Sequence, residues 1–114
     1  MIEVILLEYL SEALDVPVYM EEPQDPEERY VLLEKTAGRN TEHISRATFA
    51  VQSYGASLYD AAELNLLVKT AMASINVPEI ARAALNSDYN FTDTTTKRYR
   101  YQAVYDIVYY EEDF

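Results

Sequence analysis

From Tyr99 to Tyr110 the residues alternate along the backbone. Tyr99, Tyr101, Ala103, Tyr105, Ile107 and Tyr109 fall on one side of an extended chain, with Arg98, Arg100, Gln102, Val104, Asp106 and Val108 on the other. Such a run predicts one long, half-buried strand. At the usual rise of about 3.3 Å, residues 99–110 would span about 40 Å. A compact sphere made from 114 residues is only about 34 Å across, from a radius of gyration near 13 Å. The strand must overrun its globule or bend around it.

An aromatic stripe at strand spacing is ordinarily core, and Tyr101 and Tyr105 are assigned there. Tyr99, Tyr109 and Tyr110 lie where the strand should outrun its cover, and a ring with a polar tip suits an interface, so these three are expected to meet another subunit. The preceding NFTDTTTKR, residues 90–98, connects two long strands. Thr94, Thr95 and Thr96 favour extended backbone, so this connection is expected to project as an arm that pairs with a neighbouring chain's edge.

The rest of the chain supplies two helices and two hairpins. Ile2, Ile5, Leu6, Tyr9, Leu10 and Ala13 recur at helical spacing until Val16-Pro17. Val18, Tyr19 and Met20 fit a short edge strand, and EEPQDPEE, residues 21–28, reads as an exposed acidic loop. Residues 29–36 and 43–54 are strand-like, with AGRNTE between them as the turn. Arg39 and Asn40 in that polar segment are further interface candidates, and residues 37–42 and 92–98 are expected to become ordered on docking. Ser57 and Asp60 resemble a capping box opening a helix with Leu58, Ala61, Leu64, Val68, Ala71, Met72 and Ile75 on its apolar side. Residues 79–89 are assigned as the partner strand of the tyrosine run. Together these predict a single α+β domain over residues 1–114. It has an antiparallel or mixed sheet of about four to five strands, two helices packed on one face and a long projecting hairpin.

Charge is unevenly placed. Of the net −11, residues 1–34 carry −9, residues 35–110 carry +1 and residues 111–113 carry −3. A chain this acidic is expected to repel nucleic-acid phosphates, and no segment approaches the ~20 apolar residues of a membrane span. The opening residues carry interrupting glutamates rather than a basic leader, so a soluble, cytoplasmic protein is expected. There is no cysteine, so thiolate metal sites and disulfides are excluded. The single histidine, His43, is read as a surface residue, and two glycines cannot build a phosphate-binding loop. The acidic loop lacks calcium-loop spacing. No cofactor and no catalytic activity are expected.

The stretches RATFAVQSYGASLYDAAELN and LNSDYNFTDTTTKRYRYQAVYDIVYY resemble the tail-terminator, or head-tail joining, proteins of long-tailed bacteriophages and prophages, with the likeness covering residues 29–110. The resemblance implies a ring, typically a hexamer, that caps the tail tube and contacts the neck or head-completion protein. Its place would be the tail end of the virion, after assembly in the host cytoplasm. Lys97, Arg98 and Arg100 of one copy would then face the acidic 21–28 loop of the next. Acids left over, if they line the channel, would let DNA slide without sticking. The competing reading is a small acidic host-directed binding or inhibitor protein whose carboxylates mimic nucleic acid.

Overall fold

A computed structural model describes residues 1–41 and 44–110, so His43 and the acidic tip at 111–113 lie outside the described residues. Two helices, α1 (Ile2–Ala13) and α2 (Leu58–Ala73), accompany five strands: β1 (Val18–Tyr19), β2 (Tyr30–Thr41), β3 (Ile44–Tyr54), β4 (Ile80–Asn90) and β5 (Arg100–Tyr110). The sheet order is β1-β2-β3-β5-β4, with β1 parallel to β2 and every other pair antiparallel. This is the expected α+β fold, with the helices packed against a mixed sheet.

Helix α1 buries Ile2, Leu6 and Leu10, spaced four apart and hence stacked on one face. Each contributes about 1.5–3 kcal/mol by leaving water. Their partners are Val31 and Leu33 of β2, Phe49 and Val51 of β3, Leu64, Val68 and Met72 of α2, and Ala103, Tyr105 and Ile107 of β5. Placing a charge at Leu64, which has no exposed surface, would break this core, because an unpaired buried ion has no compensation.

The start of α2 is set locally. Ser57 accepts a hydrogen bond from the Asp60 amide at 3.1 Å, while the Asp60 carboxylate accepts from the Ala56 amide at 3.0 Å. The box therefore closes one residue earlier than the usual reciprocal pair. Gly55 is required there, since an added Cβ would lie 2.5 Å from the Ala61 nitrogen. Arg29 ties this corner to β2, with its guanidinium 2.8 Å from Asp60 and 3.1 Å from Glu63.

Two boundaries differ from expectation. AGRNTE is not a turn: β2 runs through Ala37, Gly38, Arg39 and Asn40 to Thr41, each of these paired with β3 after a bulge between Lys35 and Ala37. Pairing with a long neighbour satisfies the backbone there and overrides the turn preference of glycine and asparagine. The described pairing of β2 with β3 thus continues to Thr41 opposite Ile44. Residues 79–89 do form the expected strand, and bulges at Ile80/Arg82 and Leu85/Ser87 explain why its alternation is poorly marked in the sequence.

The sheet sets the shape. The molecule measures 44 × 26 × 24 Å, elongated as the long alternating run requires.

Candidate interaction surfaces

One face of the sheet carries the helices. The other is divided along the strands into two ends that differ in how their arginines are partnered.

At the first end, Tyr30 and Tyr54 are cross-strand partners whose rings stack at 4.5 Å with only 4° between planes. Tyr19 meets Tyr30 edge-on, and the guanidinium of Arg98 lies 4.8 Å above the Tyr54 ring. Arg100 sits 4.5 Å from the Phe91 ring, donates to the Phe91 carbonyl at 2.7 Å and to the Tyr54 hydroxyl at 2.9 Å. The Arg98 guanidinium donates to the Glu22 carboxylate at 2.7 Å and also to the Tyr30 hydroxyl, which itself donates to Glu22 at 2.6 Å. Burial pushes the Glu22 carboxyl up, but the Tyr30 hydroxyl and Arg98 together outweigh it and hold the group below its ordinary value. The Tyr30 hydroxyl is pushed up, first by burial and then by its bond to Glu22.

A chain of side-chain hydrogen bonds runs across three strands from this cluster. The Tyr54 hydroxyl donates to Gln52 at 3.2 Å, the Gln52 amide donates to Gln102 at 2.8 Å, and the Gln102 amide donates to the Tyr89 hydroxyl at 2.6 Å. Both glutamines are buried.

At the second end the cations have no such partners. Arg39 lies directly opposite Arg46, Arg46 opposite Val108, and Val108 opposite Arg82, which sets three arginines in one row across β2, β3, β5 and β4. All three are exposed. Among the described residues none of them has a hydrogen-bond or ion-pair partner. A groove of about 540 Å³ opens beside the row, lined by residues that include Arg39, Arg46, Thr48, Asp106 and Val108. Asp106 is already engaged, accepting from Thr48 at 3.2 Å and from Asn86 at 3.1 Å. Ile44 and Tyr110, partners at the next position along, are 45% and 56% exposed.

Several expected interface residues take other places. Thr94, Thr95 and Thr96 are exposed, but they do not extend as an arm. Asp93 accepts from the amides of Thr95 and Thr96 at 2.9 and 3.4 Å, Lys97 adopts a left-handed backbone with φ 56°, and Asp93 bridges to Arg98. Aspartate's ability to cap a turn outweighs the extended bias of threonine. Arg98, expected to face a neighbour's acidic loop, is in this single chain bonded to Glu22 of its own loop at 2.7 Å. Arg100 likewise lies on its own aromatic rings.

Tyr109 is not beyond the helices. It is 8% exposed and packs in the core, because α1 begins close to it and lines a shared recess with Met1, Ile2 and Ile5. Tyr99 is half-buried, its carbonyl accepting from the Gly55 amide at 3.1 Å, whereas Tyr110 is exposed as expected. Arg39 and Asn40 are exposed too, on a paired strand rather than a loop, with Asn40 accepting from the Ser45 hydroxyl at 2.6 Å.

Sequence reasoning missed Arg46 and Arg82. A signal existed for Arg46: alternation in the 43–54 run puts it on one side with Thr48 and Gln52, and the observed register sets it opposite Arg39. Arg82 had none, because its register depends on the β4 bulge.

Among the described residues no three His, Cys, Asp or Glu side chains gather to hold a metal ion, and no helix is long and apolar enough to cross a membrane. No protein-family model and no curated protein matches the chain.

Proposed function

We propose that the chain is a structural assembly subunit of the tail-terminator or head-tail joining type, one copy of a ring, typically a hexamer, that caps a tail tube and meets the neck. One observation carries this reading: the sheet has two long open edges on opposite sides. Among the described residues β1 pairs with only Val31 and Leu32, so no strand covers the outer edge of β2 from Leu33 to Thr41, and β4 is the terminal strand on the far side. Open edges invite pairing with another chain. Two different patches on one molecule make a heterologous contact, and that geometry gives a ring when the rotation between copies closes.

The order of helices and hairpins agrees with the resemblance carried by residues 29–110. The alternative, an acidic inhibitor that mimics nucleic acid, needs free carboxylates on a rigid surface. In the 21–28 loop two of the five carboxylates, Glu22 and Glu27, are bonded to the chain's own Tyr30 and Tyr19, which leaves three for such mimicry.

The test is to add the protein to growing tail tubes and image them. Tubes of uniform length with a ring at one end support the reading. Unchanged tube growth with no added density sinks it, and a stable complex with a host nucleic-acid enzyme favours the alternative.

A further inference from the structure

The arginine row poses a problem for an isolated molecule. Like charges directly opposite on neighbouring strands destabilise a sheet. Arg39 and Arg46 are such a pair, with Arg82 two strands further on. Among the described residues no carboxylate forms an ion pair with them, although Asp106 lines the same groove and the chain as a whole carries −11. The groove beside the row and the exposed Ile44 and Tyr110 next to it add shape and apolar area. Arginine and tyrosine around an apolar floor is the composition of binding hot spots.

A complementary set of charges exists elsewhere on the chain. In the 21–28 loop, Glu21, Asp25 and Glu28 are exposed, and none has a hydrogen-bond or ion-pair partner among the described residues. The loop cannot reach the row of its own molecule. It is anchored at the Tyr30 and Tyr54 end through Glu22 and Arg98, and the stretch of β3 from Tyr54 to Arg46 spans about 26 Å at the usual strand rise. Contact between the two patches must come from a second molecule.

We infer that the Arg39, Arg46 and Arg82 row is the docking site for the acidic 21–28 loop of a second copy of this chain. Lengths agree: strands about 4.8 Å apart place Arg39 and Arg82 about 14 Å apart. The loop from 21 to 28 covers at most about 22 Å when extended and less when bent. Arginine's fork takes carboxylates in pairs, which fixes register as well as affinity. Because loop and row lie at opposite ends of the sheet, each copy uses one patch toward each neighbour, a head-to-tail contact that makes a ring when its rotation closes. At physiological salt the mutual repulsion of two acidic molecules is screened beyond about 8 Å, while the direct contacts are screened far less.

The inference rests on the ring reading for the presence of a neighbour, and sedimentation at low and high salt tests it separately from tube capping. Three chains are compared with the wild type. One carries Arg39→Glu, Arg46→Glu and Arg82→Glu; one carries Glu21→Arg, Asp25→Arg and Glu28→Arg; one carries both sets. Circular dichroism checks that each is folded.

The expected result is salt-sensitive association of the wild type, loss to single chains in either reversed variant, and at least tenfold recovery in the doubly reversed chain. Unchanged association in the row variant overturns this contact and leaves the ring reading standing. Failure of the doubly reversed chain to recover, while folded, overturns it as well, as does a wild type that stays single at every concentration in low salt. Row-dependent binding of a labelled DNA duplex without self-association overturns it in favour of phosphate. If reversal unfolds the row variant, Arg46→Gln is the substitute, expected to weaken association severalfold.

Discussion

The two ends of the helix-free sheet face hold the same residue types and treat them in opposite ways. At the Tyr30 and Tyr54 end, two arginines lie on aromatic rings and one bonds an acid of the same chain. At the Arg39 and Arg46 end, three arginines share one row, with Val108 between Arg46 and Arg82 and no counter-ion among the described residues. The first end is a finished piece of the fold. The second is an exposed cationic row. Basic residues near an acidic segment in charge count are thus no guide to which of them is free; only the register decides.

Substitutions should separate the two ends, beginning with the largest effect. Tyr54→Ala removes a buried stacked ring and the platform under both arginines, and is expected to cost about 3–5 kcal/mol in urea unfolding. A loss below about 1 kcal/mol would mean that the first end is not part of the core. Next, Gln102→Leu leaves Gln52 and Tyr89 facing a hydrocarbon, with an expected loss of about 1–3 kcal/mol. The double change Gln52→Leu with Gln102→Leu should recover much of it, and a double-mutant cycle measures the coupling.

A smaller effect is expected at Glu22. A carboxyl held below its ordinary value of 4.5 contributes stability above that pH and loses it as the pH falls through the lowered folded value. Glu22→Gln should therefore reduce stability at pH 7 and flatten the dependence between about pH 5 and pH 3. The Glu22 side chain is 39% exposed, so solvent screening limits the change to about 0.2–1 kcal/mol. Equal stability curves for the two proteins on acid titration would detach Glu22 from the cluster.

The smallest effect has the opposite sign. Arg46→Thr relieves the facing charges of the second end and should stabilise the single chain by about 0.2–0.5 kcal/mol at low salt, fading as salt rises. Destabilisation on thermal unfolding would show that the row holds the fold together and would erase the contrast between the ends.

Elements with a strong local period were legible without coordinates. The buried stripe of α2 through Ala61, Leu64, Val68 and Met72 is the one the spacing predicts, and β5 begins within one residue of the alternating run. The first hairpin was half legible. Its strands were recognisable, but Gly38 and Asn40 imitate a turn that pairing with β3 extends into strand. Of the interface candidates, Tyr110, Arg39 and Asn40 are on the surface as expected, while Tyr109 is inside because the start of α1 covers it. Exposure at the end of a strand depends on where a helix from elsewhere in the chain comes to rest, and no local pattern encodes that.

By itself the sequence determined an α+β chain built around a strand too long for a sphere, since periodicity and hydrophobic burial act residue by residue along the backbone. Only the tertiary structure decided which cations are spent on the chain's own rings and acids and which remain open. That depends on strand register, where a bulge of one residue moves a side chain to a new neighbour, and on contacts between residues as distant as Glu22 and Arg98.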